Sequence, residues 1–234
     1  MPEKFSDEPK GLVICYLGAG KGKTTAAMGM AVRAAGAGMN VFILQFVKAA
    51  GKSSDFAKAS SDLRSEEDRK KDGEWPVSSE IEFLNYIHRY LDYNQDARNL
   101  SLTLSSKGEG TNKVGTIENE QVGLGFVGIL GDKKEKAIHI KAALDGLSRA
   151  REIITSRKYQ VIILDEIISA LESKLIEERD IVDLIKLKGP LQHLVLTGHN
   201  KYPSILKECD LVTEMKMVKH PYYKGILAQR GIDY

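Results

Sequence analysis

The chain has 234 residues, enough for one α/β domain with a substantial core, and its apolar share of 42% argues against global disorder. A net charge of +2 gives no electrostatic case for a nucleic-acid partner, and no apolar run approaches the roughly 20 residues that span a bilayer. The two cysteines, Cys15 and Cys209, supply neither a disulfide framework nor a zinc spacing, and the opening MPEKFSDEPKG lacks a signal-peptide layout, so the expected setting is a reducing cytoplasm.

Residues 11–18, GLVICYLG, are a short β-branched run ending in glycine and read as a buried strand. Residues 23–37, rich in Ala, Met and Arg without proline, favour helix, and GAGMN at 36–40 stops it. VFILQFV, 41–47, is a second buried strand, and the order strand, helix, strand predicts a βαβ unit with parallel strands. Residues 49–76 are rich in charge and serine and read as a solvated or mobile excursion. Residues 79–97 predict a helix with Ile81, Leu84, Ile87, His88 and Leu91 near one face, and 105–115 have turn composition. Together these form a long interruption at about 51–112.

VGLGFVGILGDK, 122–133, carries four glycines among apolar residues and reads as a close-packed loop beside a ligand or a tight turn. A helix is predicted over 134–157, then a strand, YQVIILDE at 159–166, ending in two carboxylates. A helix at 177–188, a strand at 193–198, a short helix at 202–209 and a strand at 210–218 follow. The tail, 224–234, is apolar enough to pack back. This alternation predicts one α/β domain across 1–234, with a mostly parallel sheet and helices on both faces.

The stretch with most chemistry is YLGAGKGKTT, 16–25. A phosphate loop reads Gly, four residues, then Gly-Lys-Ser/Thr. Counting back from Gly22-Lys23-Thr24, the first glycine falls on Leu17, and the nearest is Gly18, so the loop is one residue short. Gly18, Gly20 and Gly22, with Ala19 between, would let backbone N–H groups approach an anion at a helix N-terminus. Lys23 would meet phosphate oxygens, Thr24 a magnesium ion, and Lys21 and Thr25 add a cation and a hydroxyl. Asp165 and Glu166 close a strand at the end where such sheets bind ligands, and a carboxylate there holds Mg²⁺ in many nucleotide-binding proteins. No water-positioning glutamine or arginine finger stands out. Gln45, Arg33 and Arg151 read by default as solvated or pairing side chains. His88, His139, His193 and His220 show no ligand spacing.

The segments 11–48, VIILDEI, LVLTG and the closing LVTEMKMVKHPYYKGILAQRGIDY resemble the ATP:corrinoid adenosyltransferases of the phosphate-loop type. The shortened loop with GKGKTT and the closing VKHP…KG…A..GIDY are specific to that family. The resemblance implies a P-loop NTPase (RecA-like) fold and a defined reaction. A corrinoid reduced to Co(I) attacks the 5′ carbon of ATP, forms a Co–C bond and expels triphosphate. It implies ATP and the reduced corrinoid as substrates, Mg²⁺ (or Mn²⁺), a reductase that supplies Co(I), and a homodimer. Gly20 to Thr25 would bind triphosphate, with Lys23, Thr24 and Glu166 catalytic, Thr24 and Glu166 at the metal, and Asp165 beside it. An aromatic segment of the Gly-Phe-x-Trp type packs by the corrinoid in this family. Its counterpart is GFVG at 125–128, which keeps Phe126 but has Gly128 at the second aromatic, and His199 stands where Thr-Gly-Arg is often read. Two other readings remain: a kinase or NTP hydrolase, which would release ADP or phosphate, and a carrier that binds nucleotide or corrinoid without turnover.

Overall fold

A computed structural model describes residues 8–46, 114–124 and 135–226. The excursion at 49–76, the helix expected at 79–97, most of the turn at 105–115, Phe126, Gly128 and the end of the tail lie outside the described residues.

The four apolar runs become strands: β1 (Val13–Leu17), β2 (Val41–Gln45), β4 (Val161–Asp165) and β5 (His193–Thr197). Nearly all of their residues are buried, as both faces of a parallel sheet require. Two edge strands complete a six-stranded sheet, β3 (Ile117–Gln121) and β6 (Leu211–Glu214), in the order β3-β2-β4-β5-β1-β6. Every pairing is parallel. The expectation for β1 and β2 therefore holds, yet they are not neighbours, because β4 and β5 lie between them. β3, with the sequence IENEQ, has no apolar run to announce it. Backbone pairing with β2 makes it a strand, from Val41 opposite Ile117 to Gln45 opposite Gln121. Its acids meet cations on the next layer, Glu118 with Lys158 at 2.9 Å and Glu120 with Arg149 at 2.8 Å. Charge on an edge strand discourages further pairing.

The helices are α1 (Lys23–Gly36), α2 (Lys136–Ser156), α3 (Ile167–Glu172), α4 (Glu178–Leu187) and α5 (Pro203–Leu206). Strand side chains alternate between two cores. Ile14, Val41, Ile43, Val161, Ile163 and Val195 meet Ala27, Met28, Ala31, Ala34 and Ala35 of α1. Cys15, Leu17, Phe42, Leu44, Ile162, Leu164, Leu194 and Leu196 share the other core with residues of α2, α3, α4 and α5. The small side chains of α1 let it lie close on its face of the sheet. The two cysteines, remote in sequence, meet here, and a hydrogen bond to Cys209 together with burial holds the Cys15 thiol far above its usual range. No described helix is long and apolar enough to cross a membrane. Parallel strands put all their C-terminal ends on one side of the sheet. There Leu17, Gln45, Gln121, Asp165, Thr197 and Glu214 come together.

Candidate functional site

The loop from Gly18 to Gly22 leaves β1 and enters α1. Gly18 and Gly22 have φ of 107° and 106°, conformations that a side chain resists. The loop is held from behind by the residues that follow β5 and β6. Gly18 N–H donates to the His199 carbonyl at 2.9 Å, Gly20 N–H to the Met215 carbonyl at 2.8 Å, and Met215 N–H to the Leu17 carbonyl at 2.7 Å. A Cβ on Gly18 would lie 2.3 Å from the Met215 oxygen, and one on Gly20 2.7 Å from it. These two glycines thus admit the protein's own backbone, where the sequence had suggested close approach to phosphate. The first intrahelical bond, Ala26 N–H to the Gly22 carbonyl, leaves the amides at the start of α1 without an intrahelical acceptor, as at any helix N-terminus. Lys23 curls back into the loop, its Nζ 2.8 Å from the Gly18 carbonyl and 3.0 Å from that of Gly20, and it is buried. Ala19, Lys21 and Thr25 lie on the exposed rim.

Asp165 sits fully buried at the end of β4. A buried carboxylate needs donors, and three converge on it. Thr24 Oγ1 donates to Oδ1 at 3.0 Å, Thr197 Oγ1 to Oδ1 at 2.8 Å, and Gln45 Nε2 to Oδ2 at 3.0 Å. Gln45 is neither solvated nor set to orient a water. It is fully buried and pairs with Asp165, while its own Oε1 accepts from Gln121 Nε2 at 2.9 Å. Arg33 and Arg151 are exposed on α1 and α2.

The neighbouring carboxylate takes another direction. Glu166 adopts φ 60°, and its N–H donates to Thr197 Oγ1 at 2.7 Å. Its side chain accepts a hydrogen bond from Ser169 of α3, and Ser169 Oγ is 3.2 Å from His199 Nδ1. The carboxylate in contact with Thr24 is therefore Asp165, whereas the sequence had favoured Glu166 for the metal side. His199 is half-exposed, and its backbone N–H and that of Asn200 donate to Glu172 Oε1 at 3.1 and 2.6 Å.

The structure thus brings together Gly18, Gly20, Gly22, Lys23, Thr24 and Asp165, with Glu166 one hydroxyl away through Thr197. Sequence reasoning missed Thr197, Ser169, Gln121 and Met215. Thr197 ends a strand on the binding side, a signal that was available. Met215 contributes only backbone, for which residue type carries no signal.

A loop of this length, with its lysine held by the loop carbonyls and a buried aspartate behind its hydroxyl, has the groups that would suit the phosphates of a nucleotide. Comparison with known proteins gives the family. The family model described as ATP:corrinoid adenosyltransferase BtuR/CobO/CobP matches residues 9–91 and 101–234. A corrinoid adenosyltransferase from Sinorhizobium sp is 28% identical over 97% of this chain and 82% of its own length. Proteins of the same name from Pseudomonas aeruginosa and Escherichia coli K12 are 24% and 25% identical, over 97% and 98% of this chain and 85% and 88% of theirs. The match runs through the loop, the Asp165 strand and the Met215 segment that backs the loop, and the chain belongs to the ATP:corrinoid adenosyltransferase family.

Proposed function

We propose a division of labour among these residues in the reaction of the family, transfer of the 5′-deoxyadenosyl group of ATP to a reduced corrinoid. The Co(I) electron pair forms the Co–C bond at the 5′ carbon. The bond from that carbon to oxygen breaks, and its pair leaves on triphosphate. No proton transfer is required of the protein. Its tasks are to place cobalt in line with the carbon and to stabilise charge on the departing oxygens.

The arrangement at the start of α1 carries this reading. Lys23 Nζ is already poised at the loop, and we assign it to exchange its bonds to the Gly18 and Gly20 carbonyls for triphosphate oxygens. The unpaired amides of the first turn of α1 face the same charge. Thr24 donates its O–H in a hydrogen bond to Asp165, so its oxygen lone pairs are left for a cation. Among the described residues no three or more His, Cys, Asp or Glu side chains could hold a metal by themselves. The hard oxygens that converge, Thr24 and Asp165, suit Mg²⁺ or Mn²⁺ carried in on phosphates, with Glu166 as an outer carboxylate. Such an ion supplies neutralisation of the leaving triphosphate. Lys21 and Thr25, on the rim with Ala19, complete the triphosphate site, and Phe126 belongs to the corrinoid side. A single domain, a homodimer, a cytoplasmic setting and a separate reductase for Co(I) are part of the same reading.

The test is a product assay without oxygen, with ATP, Mg²⁺ and chemically reduced cobalamin. The expected outcome is a light-sensitive adenosylated corrinoid with one triphosphate per corrinoid. ADP or phosphate with the corrinoid unchanged would favour the kinase or hydrolase reading, and ligand binding without product the carrier. Lys23→Ala is expected to lower turnover by about 10²–10³, the loss typical of one donor to a developing oxyanion. Wild-type turnover in that variant would remove Lys23 from the site.

A further inference from the structure

Gln45 has no place in the chemistry above, yet every polar atom beyond its own strand pairing is committed. A glutamine amide carries an acceptor at one end and donors at the other, in nearly the same shape. Which end faces which neighbour is settled by what those neighbours can do. The Asp165 carboxylate can only accept, so the Gln45 NH₂ must face it, as it does at 3.0 Å. Gln45 Oε1 then faces β3, where Gln121 Nε2 donates at 2.9 Å. The Gln45 backbone carbonyl meanwhile accepts from Val122 N–H at 3.0 Å and Gly123 N–H at 3.3 Å. One fully buried residue therefore ties the end of the edge strand to the carboxylate that holds Thr24.

The chain of bonds has a direction. Gln121 donates to Gln45, Gln45 donates to Asp165, and Thr24 donates to Asp165 from the other side. Packing alone would not need this, since a methionine fills similar space. We propose that Gln121 and Gln45 are positioning residues that fix the polarity of this chain, and that through it the end of β3 is energetically coupled to nucleotide and metal binding at Thr24. The inference rests on the assignment of Thr24 to the metal and triphosphate.

Three substitutions at position 121, on the half-buried edge, separate polarity from packing. Gln121→Lys can only donate and keeps the direction. Gln121→Met removes the bond. Gln121→Glu can only accept, so the Gln45 amide must turn over, which sets its carbonyl against Asp165. ATP binding is measured with and without Mg²⁺ and with no reduced corrinoid, so no transfer occurs. Affinity in Mg²⁺ is expected to stay near wild type for Gln121→Lys, fall about threefold for Gln121→Met and fall tenfold or more for Gln121→Glu, as suits a buried acceptor left facing another acceptor. The order should survive raised salt, whereas a simple field effect of the added charges would be screened. In the wild-type protein, Mg²⁺ and ATP should also slow hydrogen exchange at the Val122 and Gly123 amides, and Gln45→Met should abolish that response. Equal affinities across the three variants, an order that disappears in salt, or no slowing in the wild type would each overturn the coupling. Thr24→Ala serves as the control. If it leaves Mg²⁺-dependent ATP binding intact, the assignment of Thr24 fails. If it weakens binding while the position-121 variants are alike, only the coupling fails.

Discussion

Three glycines of the phosphate loop make different demands, and their substitution should separate them. Gly22 has a positive φ but only the Met215 sulfur within reach of a Cβ, at 3.5 Å. Gly20 has no positive φ, but its Cβ would meet the Met215 carbonyl. Gly18 faces both problems. Gly22→Ala should therefore cost on the order of 1–3 kcal/mol, from backbone strain alone. Gly20→Ala should displace Met215, and Gly18→Ala should be the most damaging of the three. Urea unfolding of each variant gives the order. Equal losses would mean that the contact with Met215 does not matter. At this scale the sequence was readable where residue type is tied to chemistry. Lys23, Thr24 and Asp165 could be singled out because an ammonium, a hydroxyl and a carboxylate are what a phosphate and a metal would need, and the fold brings them together. Which of the adjacent Asp165 and Glu166 meets Thr24 depends on a strand register and on a backbone turn at Glu166. Neither is written in the two letters themselves.

Among the elements, a continuous apolar run was a faithful signal. β1, β2, β4 and β5 were expected within a residue or two of where they lie, and α1, α2 and α4 likewise. β3 escaped because its stability comes from pairing with β2 and from the cations opposite Glu118 and Glu120, none of which shows locally. α3 escaped because IISALE, set off from the apolar run of β4 by Asp165 and Glu166, is too short to show a helical period. One strand start carries a pH dependence. His193 opens β5, and its Nδ1 accepts from Leu12 N–H at 3.2 Å, which requires that nitrogen to be unprotonated. Burial, aided by the charge of Lys188, pushes the His193 pKa below its ordinary 6.5. Below pH about 6.5 the unfolded chain binds a proton that the native state refuses, so stability falls with pH until the lower native pKa is passed. Above that range His193 contributes no slope. His193→Asn keeps an acceptor for Leu12 and removes the titration. Urea midpoints at pH 7.5 and 5.5 should lie closer together in the variant, and an unchanged gap would acquit His193.

For the whole molecule, the sheet is strong at its centre and weak at its rims. β4 and β5 are flanked on both sides and buried, while every residue of β6 is exposed. Hydrogen exchange should be slowest in β4 and β5 and fastest among the strands in β6. Early exchange in β4 would contradict this division. The neighbours in the sheet were beyond the sequence for a related reason. That β1 lies between β5 and β6 is decided by how both cores close over the sheet, and no short stretch of residues encodes it.

The contact of Gly18 and Gly20 with Met215 has a consequence in time. The loop emerges during synthesis well before the residue that backs it, because nearly the whole sheet lies between them in the chain. A nascent chain that has formed β1 still lacks the backbone wall that holds Gly20, and it gains that wall only when β6 takes its place beside β1. The loop thus leaves the ribosome before the strand that completes it, and a chain cut short before Met215 would carry every side chain of the loop without its shape.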